Sequence, residues 1–158
     1  MNKGIAWTVL SCIAFMAIIL SLFISRMNTT RELTEQEYKD LGAYFINPPR
    51  QLTGFQMTND QNKDFDIVDF EGQWNLLFFG FTFCPDICPL TMKQLSIVKE
   101  GLKAEANKIK FYLVSIDPDR DSPANLRTYL DNFDNEFIGL TGEIDQIYKF
   151  STQVNAPF

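Results

Sequence analysis

The chain has 158 residues, with 14 Lys and Arg against 20 Asp and Glu, a net charge of −6 and no histidine. Its length allows one domain-sized hydrophobic core beside a short additional segment. The acidic balance argues against the basic face that nucleic-acid binding requires, so we expect no nucleic-acid partner. The absence of histidine limits every metal site and every acid–base mechanism that the chain can carry.

The first predicted element is a transmembrane anchor over residues 1–25. Gly4 to Ser25 carry no charge, and 22 residues in a helix span about 33 Å, which is enough for the hydrocarbon core of a bilayer. A cleaved signal peptide is the alternative, because Lys3 gives a basic start, but the apolar run is long and no small-residue cleavage site follows it. Lys3 lies on one side of the run and Arg26 and Arg31 on the other, so charge alone leaves the orientation open.

A polar juxtamembrane spacer is predicted over residues 26–50, ahead of the domain at 51–158. Within the spacer, Thr34-Glu35-Gln36-Glu37 has the capping-box pattern and predicts a short helix through Leu41. The pair Pro48-Pro49 would stop any helix that reached it.

The domain is predicted to begin with a hairpin and to continue as alternating strands and helices. We expect hairpin strands over 55–57 and 65–70, then a strand over 74–83, a helix from Pro89 to about Ala104 and a strand over 109–116. The next helix is capped by Ser122, with Pro123 at its first position. An extended segment over 137–140 follows, and then a last helix that is capped by Thr141 and turns Ile144, Ile147 and Tyr148 inward. Phe78, Phe79, Phe81 and Phe83 are expected in the core. The strand–helix–strand order predicts a parallel βαβ unit at the centre of an α/β sheet.

The chemistry of the domain is carried by Cys84 and Cys88, a C-x-x-x-C pair between the strand over 74–83 and the helix that follows. A helix N-terminus favours thiolate over thiol, and the four-residue spacing lets both sulfurs face one point. Two thiolates suit Cu(I) or an attack on a disulfide, but they are too few for structural zinc. A dithiol at this junction predicts the thioredoxin class. The third cysteine, Cys12, is expected to be a packing residue of the anchor.

An acidic loop follows the second central strand. Asp117, Asp119 and Asp121 form D-x-D-x-D, but Ser122 and Thr128 stand where a calcium loop needs glycine and glutamate. The pattern therefore favours a turn and helix start. A role near the thiols is the alternative, because the loop leaves the carboxyl end of a neighbouring strand.

The chain closely resembles the Sco/SenC family of membrane-anchored copper proteins, on the runs FFGFTFCPDICPLTMKQL, VSIDPDRDSPANLRTYLDNF and FIGLTG, with PPRQLTGF and FEGQWNLLFF upstream. The resemblance implies a thioredoxin-like protein that helps deliver copper to the dinuclear copper centre of cytochrome c oxidase, or keeps the cysteines of that centre reduced. By position, Cys84 and Cys88 match the family's copper-binding and redox cysteines. Asp117, Asp119 and Asp121 match its acidic loop.

The resemblance also implies a third copper ligand, a histidine near the C-terminal end of the fold, and this sequence has none. We therefore expect a thioredoxin-like domain that is C-terminally incomplete, without its last strands and helix. Such a domain would leave the strand over 74–83 without one of its neighbours and expose an apolar edge.

The implied cofactor is copper, and the implied partner is the copper-bearing subunit of cytochrome c oxidase or another thiol or copper protein. The implied location is the inner membrane of a bacterium, with a single span and the domain facing the periplasm. Three alternatives stay open: a membrane-anchored thiol–disulfide oxidoreductase without metal, a peroxidase variant with Arg120 beside the nucleophile, and a non-functional fragment.

Overall fold

The computed structural model describes residues 3–28 and 33–158 and divides at Asn47 and Pro48 into two compact units. Residues 29–32 of the predicted spacer, with Arg31, lie outside the described residues. The helices are α1 (Lys3–Asn28), α2 (Glu35–Asp40), α3 (Ile87–Leu102), α4 (Pro123–Leu130) and α5 (Ile144–Gln153). The strands are β1 (Met57–Asn59), β2 (Asp64–Phe65), β3 (Trp74–Gly80), β4 (Ile109–Ser115) and β5 (Ile138–Thr141).

The N-terminal unit contains α1 and α2. Helix α1 is continuous over 26 residues, and its segment Gly4–Arg26 is long and apolar enough to cross a membrane. Helix α2 begins at the predicted capping box. The Thr34 hydroxyl accepts a hydrogen bond from the Glu37 amide at 3.3 Å, and the Glu37 carboxylate accepts one from the Thr34 amide at 2.8 Å. Both segments are therefore helical, as predicted, and α1 is a candidate membrane span.

The second unit is built on one five-stranded sheet in the order β2-β1-β5-β4-β3. Strands β3, β4 and β5 are parallel, whereas β1 is antiparallel to both β5 and β2. In the β3–β4 ladder, Trp74 pairs with Ile109 and Gly80 with Ser115, so both strands end at the same edge of the sheet. The predicted βαβ unit and the N-terminal hairpin of a thioredoxin-like fold are confirmed.

Helices cover both faces of the sheet because successive side chains of β4 point to opposite faces. Tyr112 and Val114 face one cluster, which α5 completes with Ile147 and Phe150. Phe111 and Leu113 face the other, which residues of α3 and α4 complete: Met92, Leu126 and Leu130. The sheet is therefore the middle of three layers, and β4 is its most buried strand.

Strand β3 is the edge strand of the described sheet, since its only ladder is with β4. Residues 75–79 are half-buried, and Trp74 is 76% exposed. The apolar edge expected from the sequence is therefore present.

The N-terminal hairpin differs from its predicted bounds. Strand β1 lies two residues later than expected, and β2 ends at Phe65. Residues Ile67–Phe70, predicted as strand, form a 3₁₀ helix instead. The Asp66 carboxylate accepts a hydrogen bond from the Val68 amide at 2.8 Å, and the Asp69 carboxylate accepts one from the Asp66 amide at 2.9 Å. This reciprocal cap stabilises a helical turn where apolar composition alone suggested a strand.

The inward face of the last helix was also predicted wrongly. Thr141 is the final residue of β5, and Glu143 takes the N-cap position. Ile147 is buried as expected, but Ile144 and Tyr148 are 46% and 53% exposed. The buried face of α5 runs instead through Ile147, Phe150 and Ser151, at the spacing of three and four residues that one helix face requires.

Candidate functional site

The two site cysteines lie where the chain leaves β3 and enters α3. Strand β3 ends at Gly80 rather than at the predicted Phe83, and residues 81–86 form the connecting loop. Gly80 is buried at this point. A Cβ atom added there would lie 2.9 Å from the Phe78 ring and 3.2 Å from the Cys88 sulfur. The strand end thus carries glycine because the sulfur of Cys88 packs against it.

The structure brings Cys84 and Cys88 together. Cys88 is the second residue of α3 and is 4% exposed, whereas Cys84 precedes the helix and is half-buried. The backbone amide of Cys88 donates a hydrogen bond to the Cys84 sulfur at 3.3 Å. Both cysteines are free thiols. The geometry therefore presents one accessible and one buried sulfur at a single helix mouth.

The electrostatics of the two thiols are opposite. The pKa of Cys84 lies below its usual value, chiefly because the Cys88 side chain hydrogen-bonds to its sulfur, with further help from the backbone amides of Cys88, Asp86 and Ile87. Burial raises the pKa of Cys88 to about 11, and the neighbouring Cys84 and the charge of Asp121 add to the rise. Of the two thiols, Cys84 is therefore the one that loses its proton more readily, and Cys88 the one that keeps it to higher pH.

The three aspartates of the acidic loop do not act as one group. Asp117 pairs with Arg120, whose Nε donates to the carboxylate at 2.5 Å, and Asp119 is exposed. Asp121 is fully buried. Among residues 3–28 and 33–158, no three acidic or sulfur ligands are arranged to hold a metal ion. The loop is a turn that leads into α4, with Ser122 as its N-cap and Pro123 at its first position, as the sequence predicted.

Sequence reasoning missed the partners of Asp121. Its carboxylate accepts hydrogen bonds from the Thr82 amide, the Thr82 hydroxyl and the Ser115 hydroxyl. Tyr129, on α4, has a buried hydroxyl without a hydrogen-bond partner in the described part of the chain. Burial raises the Tyr129 pKa to about 12, with the charges of Cys88, Cys84 and Asp121 as further causes. No local pattern signals these residues, because the contacts join segments far apart in sequence.

The rim of the site is apolar. Phe83, predicted in the core, is 63% exposed next to Cys84, and the Arg120 guanidinium lies 5.0 Å from the centre of its ring. Ile87 and Leu90 on the first turns of α3 are also more than half exposed. Three exposed apolar side chains therefore lie within six residues of Cys84 in the sequence.

The family model described as SCO1/SenC matches residues 46–157, which is more than half of the chain. The chain belongs to the SCO1/SenC family. A Stutzerimonas stutzeri protein is 36% identical over 110 residues. That match covers 69% of this chain but 54% of the relative, so this SCO1/SenC chain spans about half the length of that relative.

Solved structures of Sco proteins share the fold. ScoI of Bradyrhizobium japonicum, determined with copper bound, matches with a TM-score of 0.61 and 35% identity over 65% of this chain and 66% of its own. BsSco, a member of the Sco family of cytochrome c oxidase assembly proteins in which a disulfide switch was identified, matches with a TM-score of 0.60 and 26% identity over 68% of this chain and 66% of its own. The thioredoxin-like assignment of the domain therefore stands on both topology and comparison.

Proposed function

We propose that this chain binds Cu(I) through the thiolates of Cys84 and Cys88 and serves in the assembly of the dinuclear copper centre of cytochrome c oxidase. The observation that carries the proposal is the convergence of the two sulfurs at the start of α3, where the Cys88 amide reaches the Cys84 sulfur at 3.3 Å. Copper-bound relatives of the same fold support the choice of metal.

The donor set fits Cu(I). Thiolates are soft ligands, and Cu(I) accepts low coordination numbers. The pKa of Cys84 is lowered, while Cys88 holds its proton more firmly, so metal binding must release a proton from Cys88. We therefore expect uptake to strengthen as pH rises. The family's third ligand, a histidine, has no counterpart among these 158 residues, so this chain supplies two ligands for Cu(I) and a poor set for Cu(II).

The proposed setting is the inner membrane of a bacterium. The apolar α1 anchors the chain and the domain faces the periplasm. There it meets the copper-bearing subunit of the oxidase or another thiol or copper protein. Three side chains around Cys84, those of Phe83, Ile87 and Leu90, offer an exposed apolar contact for such a partner.

A thiol–disulfide oxidoreductase without metal is the second candidate, and one observation favours it. The half-buried Cys84 has a lowered pKa, and the buried Cys88 has a raised one. This difference suits Cys84 as the attacking thiol and Cys88 as the thiol that resolves the mixed disulfide. The disulfide switch identified in BsSco supports such chemistry in a protein of this fold.

The test is a Cu(I) titration of the full chain in detergent micelles, without oxygen, against a coloured Cu(I) chelator. We expect one Cu(I) per chain, with most uptake lost in Cys84→Ser and in Cys88→Ser. The matched control is Cys12→Ser, which removes the only other cysteine and should bind as the unaltered chain does. If the unaltered chain leaves all Cu(I) on the chelator yet exchanges with glutathione disulfide, copper binding is rejected and the oxidoreductase function takes its place.

A further inference from the structure

Asp121 is a buried carboxylate without a salt bridge: the Arg120 guanidinium pairs with Asp117 and acts on Asp121 only through its charge. Its side chain is fully buried, and in the described part of the chain no Lys or Arg forms an ion pair with it. Asp60, also buried, differs in this respect, since the Arg127 guanidinium lies 2.7 Å from its carboxylate. An ionised group taken out of water requires strong hydrogen bonds in compensation. The hydrogen-bond donors around Asp121 therefore identify the segments that this residue holds together.

Those donors come from two other segments. On one oxygen of Asp121, the Thr82 amide donates at 3.0 Å and the Ser115 hydroxyl at 2.6 Å, while the Thr82 hydroxyl donates to the other oxygen at 2.5 Å. Thr82 belongs to the loop that carries Cys84, and Ser115 is the last residue of β4. Asp121 thus fastens the cysteine loop to the end of the central strand and to the start of α4.

We propose that Asp121 is a positioning residue, which fixes the turn over residues 81–84 so that the Cys84 sulfur stays against the start of α3. The inference rests on the proposed function in one respect, that Cys84 and Cys88 are the two cysteines that act together. The turn itself is closed by one bond from the Cys84 amide to the Phe81 carbonyl, at 3.3 Å. Thr82 lies inside that turn, two residues before Cys84.

The consequence concerns any step that needs both sulfurs at once. Such a step depends on the effective concentration of one sulfur near the other, which a fixed loop raises and a loose loop lowers. With Asp121 in place, the Cys84 sulfur meets the Cys88 amide. Without it, the loop keeps its bonds from Phe81 to Cys84 and Cys88 but loses its connection to β4 and α4, and the two sulfurs spend less time in contact.

Conservative variants separate positioning from charge. Asp121→Asn removes the charge but can keep all three bonds, because its amide oxygen can accept from the Thr82 amide and the Ser115 hydroxyl while its NH₂ donates to the Thr82 hydroxyl. Asp121→Ala removes every bond. Thr82→Val removes one donor and keeps the side-chain volume close. The matched control is Asp119→Asn, which removes a charge from an exposed side chain of the same loop.

The measurement is the equilibrium of the cysteine pair with glutathione, in full chains that also carry Cys12→Ser. The Cys84 thiolate attacks glutathione disulfide and releases one glutathione thiolate. Cys88, after losing its proton to solvent, attacks the mixed disulfide and releases the second. Two electrons pass from the cysteine pair to glutathione disulfide, and a disulfide between Cys84 and Cys88 forms.

We expect the equilibrium constant for this disulfide to fall about tenfold in Asp121→Ala, which loses three hydrogen bonds, and about threefold in Thr82→Val, which loses one. The equilibrium constant of Asp121→Asn should stay within about threefold of the parent value, because its hydrogen bonds are retained. The constant of Asp119→Asn should equal the parent value. An Asp121→Asn value as low as that of Asp121→Ala would overturn the proposal, because charge rather than positioning would then be responsible.

If Asp121→Ala does not fold, Thr82→Val still tests the proposal. An equilibrium constant for the disulfide that is unchanged in Thr82→Val would by itself overturn it. The glutathione equilibrium uses no metal. A parent chain that fails to bind Cu(I) would therefore reject copper binding and leave the Asp121 result intact. A parent that binds Cu(I), with variants indistinguishable from it in the glutathione equilibrium, would reject only the role of Asp121.

Discussion

The Cys88 sulfur occupies the space that a side chain at Gly80 would need, at the junction of strand and helix. A methyl group at Gly80 would lie 3.2 Å from the Cys88 sulfur and 2.9 Å from the Phe78 ring. Glycine at position 80 therefore leaves room for the buried sulfur, so this one residue affects both the packing of the fold and the geometry of the cysteine pair.

Gly80→Ala should be destabilising because the new methyl group overpacks this contact. We expect a loss of about 1–3 kcal/mol in the free energy of unfolding, with weaker Cu(I) binding as the Cys88 sulfur is displaced. Urea denaturation followed by fluorescence measures the first effect. The control is Gly101→Ala in α3, where no atom lies within 4 Å of the added group and helix propensity should raise stability by up to about 1 kcal/mol. Equal effects of the two substitutions would contradict the contact.

The reactivity of the thiols should depend on pH in two steps. A thiol reacts with iodoacetamide as its thiolate, so Cys84, whose pKa is lowered, should be alkylated at a lower pH than an ordinary cysteine. Cys88, with a pKa raised to about 11, should resist alkylation until the pH approaches that value. Peptide mass spectrometry after alkylation at a series of pH values separates the two sites.

Replacing Cys88 should change the titration of Cys84. The hydrogen bond from the Cys88 side chain is the largest cause of the lowered Cys84 pKa, so in Cys88→Ala that pKa should rise and alkylation of Cys84 at neutral pH should slow. The backbone amides at the start of α3 remain, so a part of the lowering should persist. A Cys84 titration that is identical in Cys88→Ala and the parent would contradict the hydrogen-bonded pair.

Burial of Cys88 also links folding to pH. A thiol whose pKa is raised by folding contributes stability in full below the unfolded pKa of about 8.5 and loses it as pH rises through the folded value. The folded value here is about 11. The reduced chain should therefore lose stability between these two values, and Cys88→Ala should lose less over the same interval. Urea denaturation at several alkaline pH values measures the difference.

Asp60 and Arg127 form a second, purely structural, ion pair. The Asp60 side chain is 2% exposed, and Arg127 also donates to the Phe137 carbonyl at 2.8 Å. Asp60→Ala removes the buried partner of a guanidinium that keeps its bonds to Asp131 and the Phe137 carbonyl, so we expect a loss of about 1–3 kcal/mol in the free energy of unfolding. Asp131→Ala removes an exposed partner of the same Arg127 and should cost at most about 1 kcal/mol. Denaturation of both variants decides the comparison.

The central unit was predictable because its signals are local. The apolar runs of β3 and β4, the helix between them, and the caps at Thr34 and Ser122 are each encoded within a few neighbouring residues. The position of the cysteine pair between strand and helix followed from the same patterns.

The features that were missed depend on contacts between distant segments. Thr82 and Asp121 are 39 positions apart, and neither carries a pattern that announces the other. Ile144 and Ile147 both look like core residues in the sequence, yet only Ile147 meets the cluster around Tyr112 and Val114. The start of α5 decides which face is buried, and that start depends on where β5 ends.

X-ray absorption at the copper edge measures directly whether Cys84 and Cys88 bind one copper ion together. The full chain is loaded with one equivalent of Cu(I) in detergent, with Cys12→Ser as the control. We expect a Cu(I) edge and two sulfur ligands in both proteins, reduced to at most one sulfur from the pair in Cys84→Ser and in Cys88→Ser. A copper site without sulfur ligands, or one that is unchanged in those two variants, would contradict this expectation.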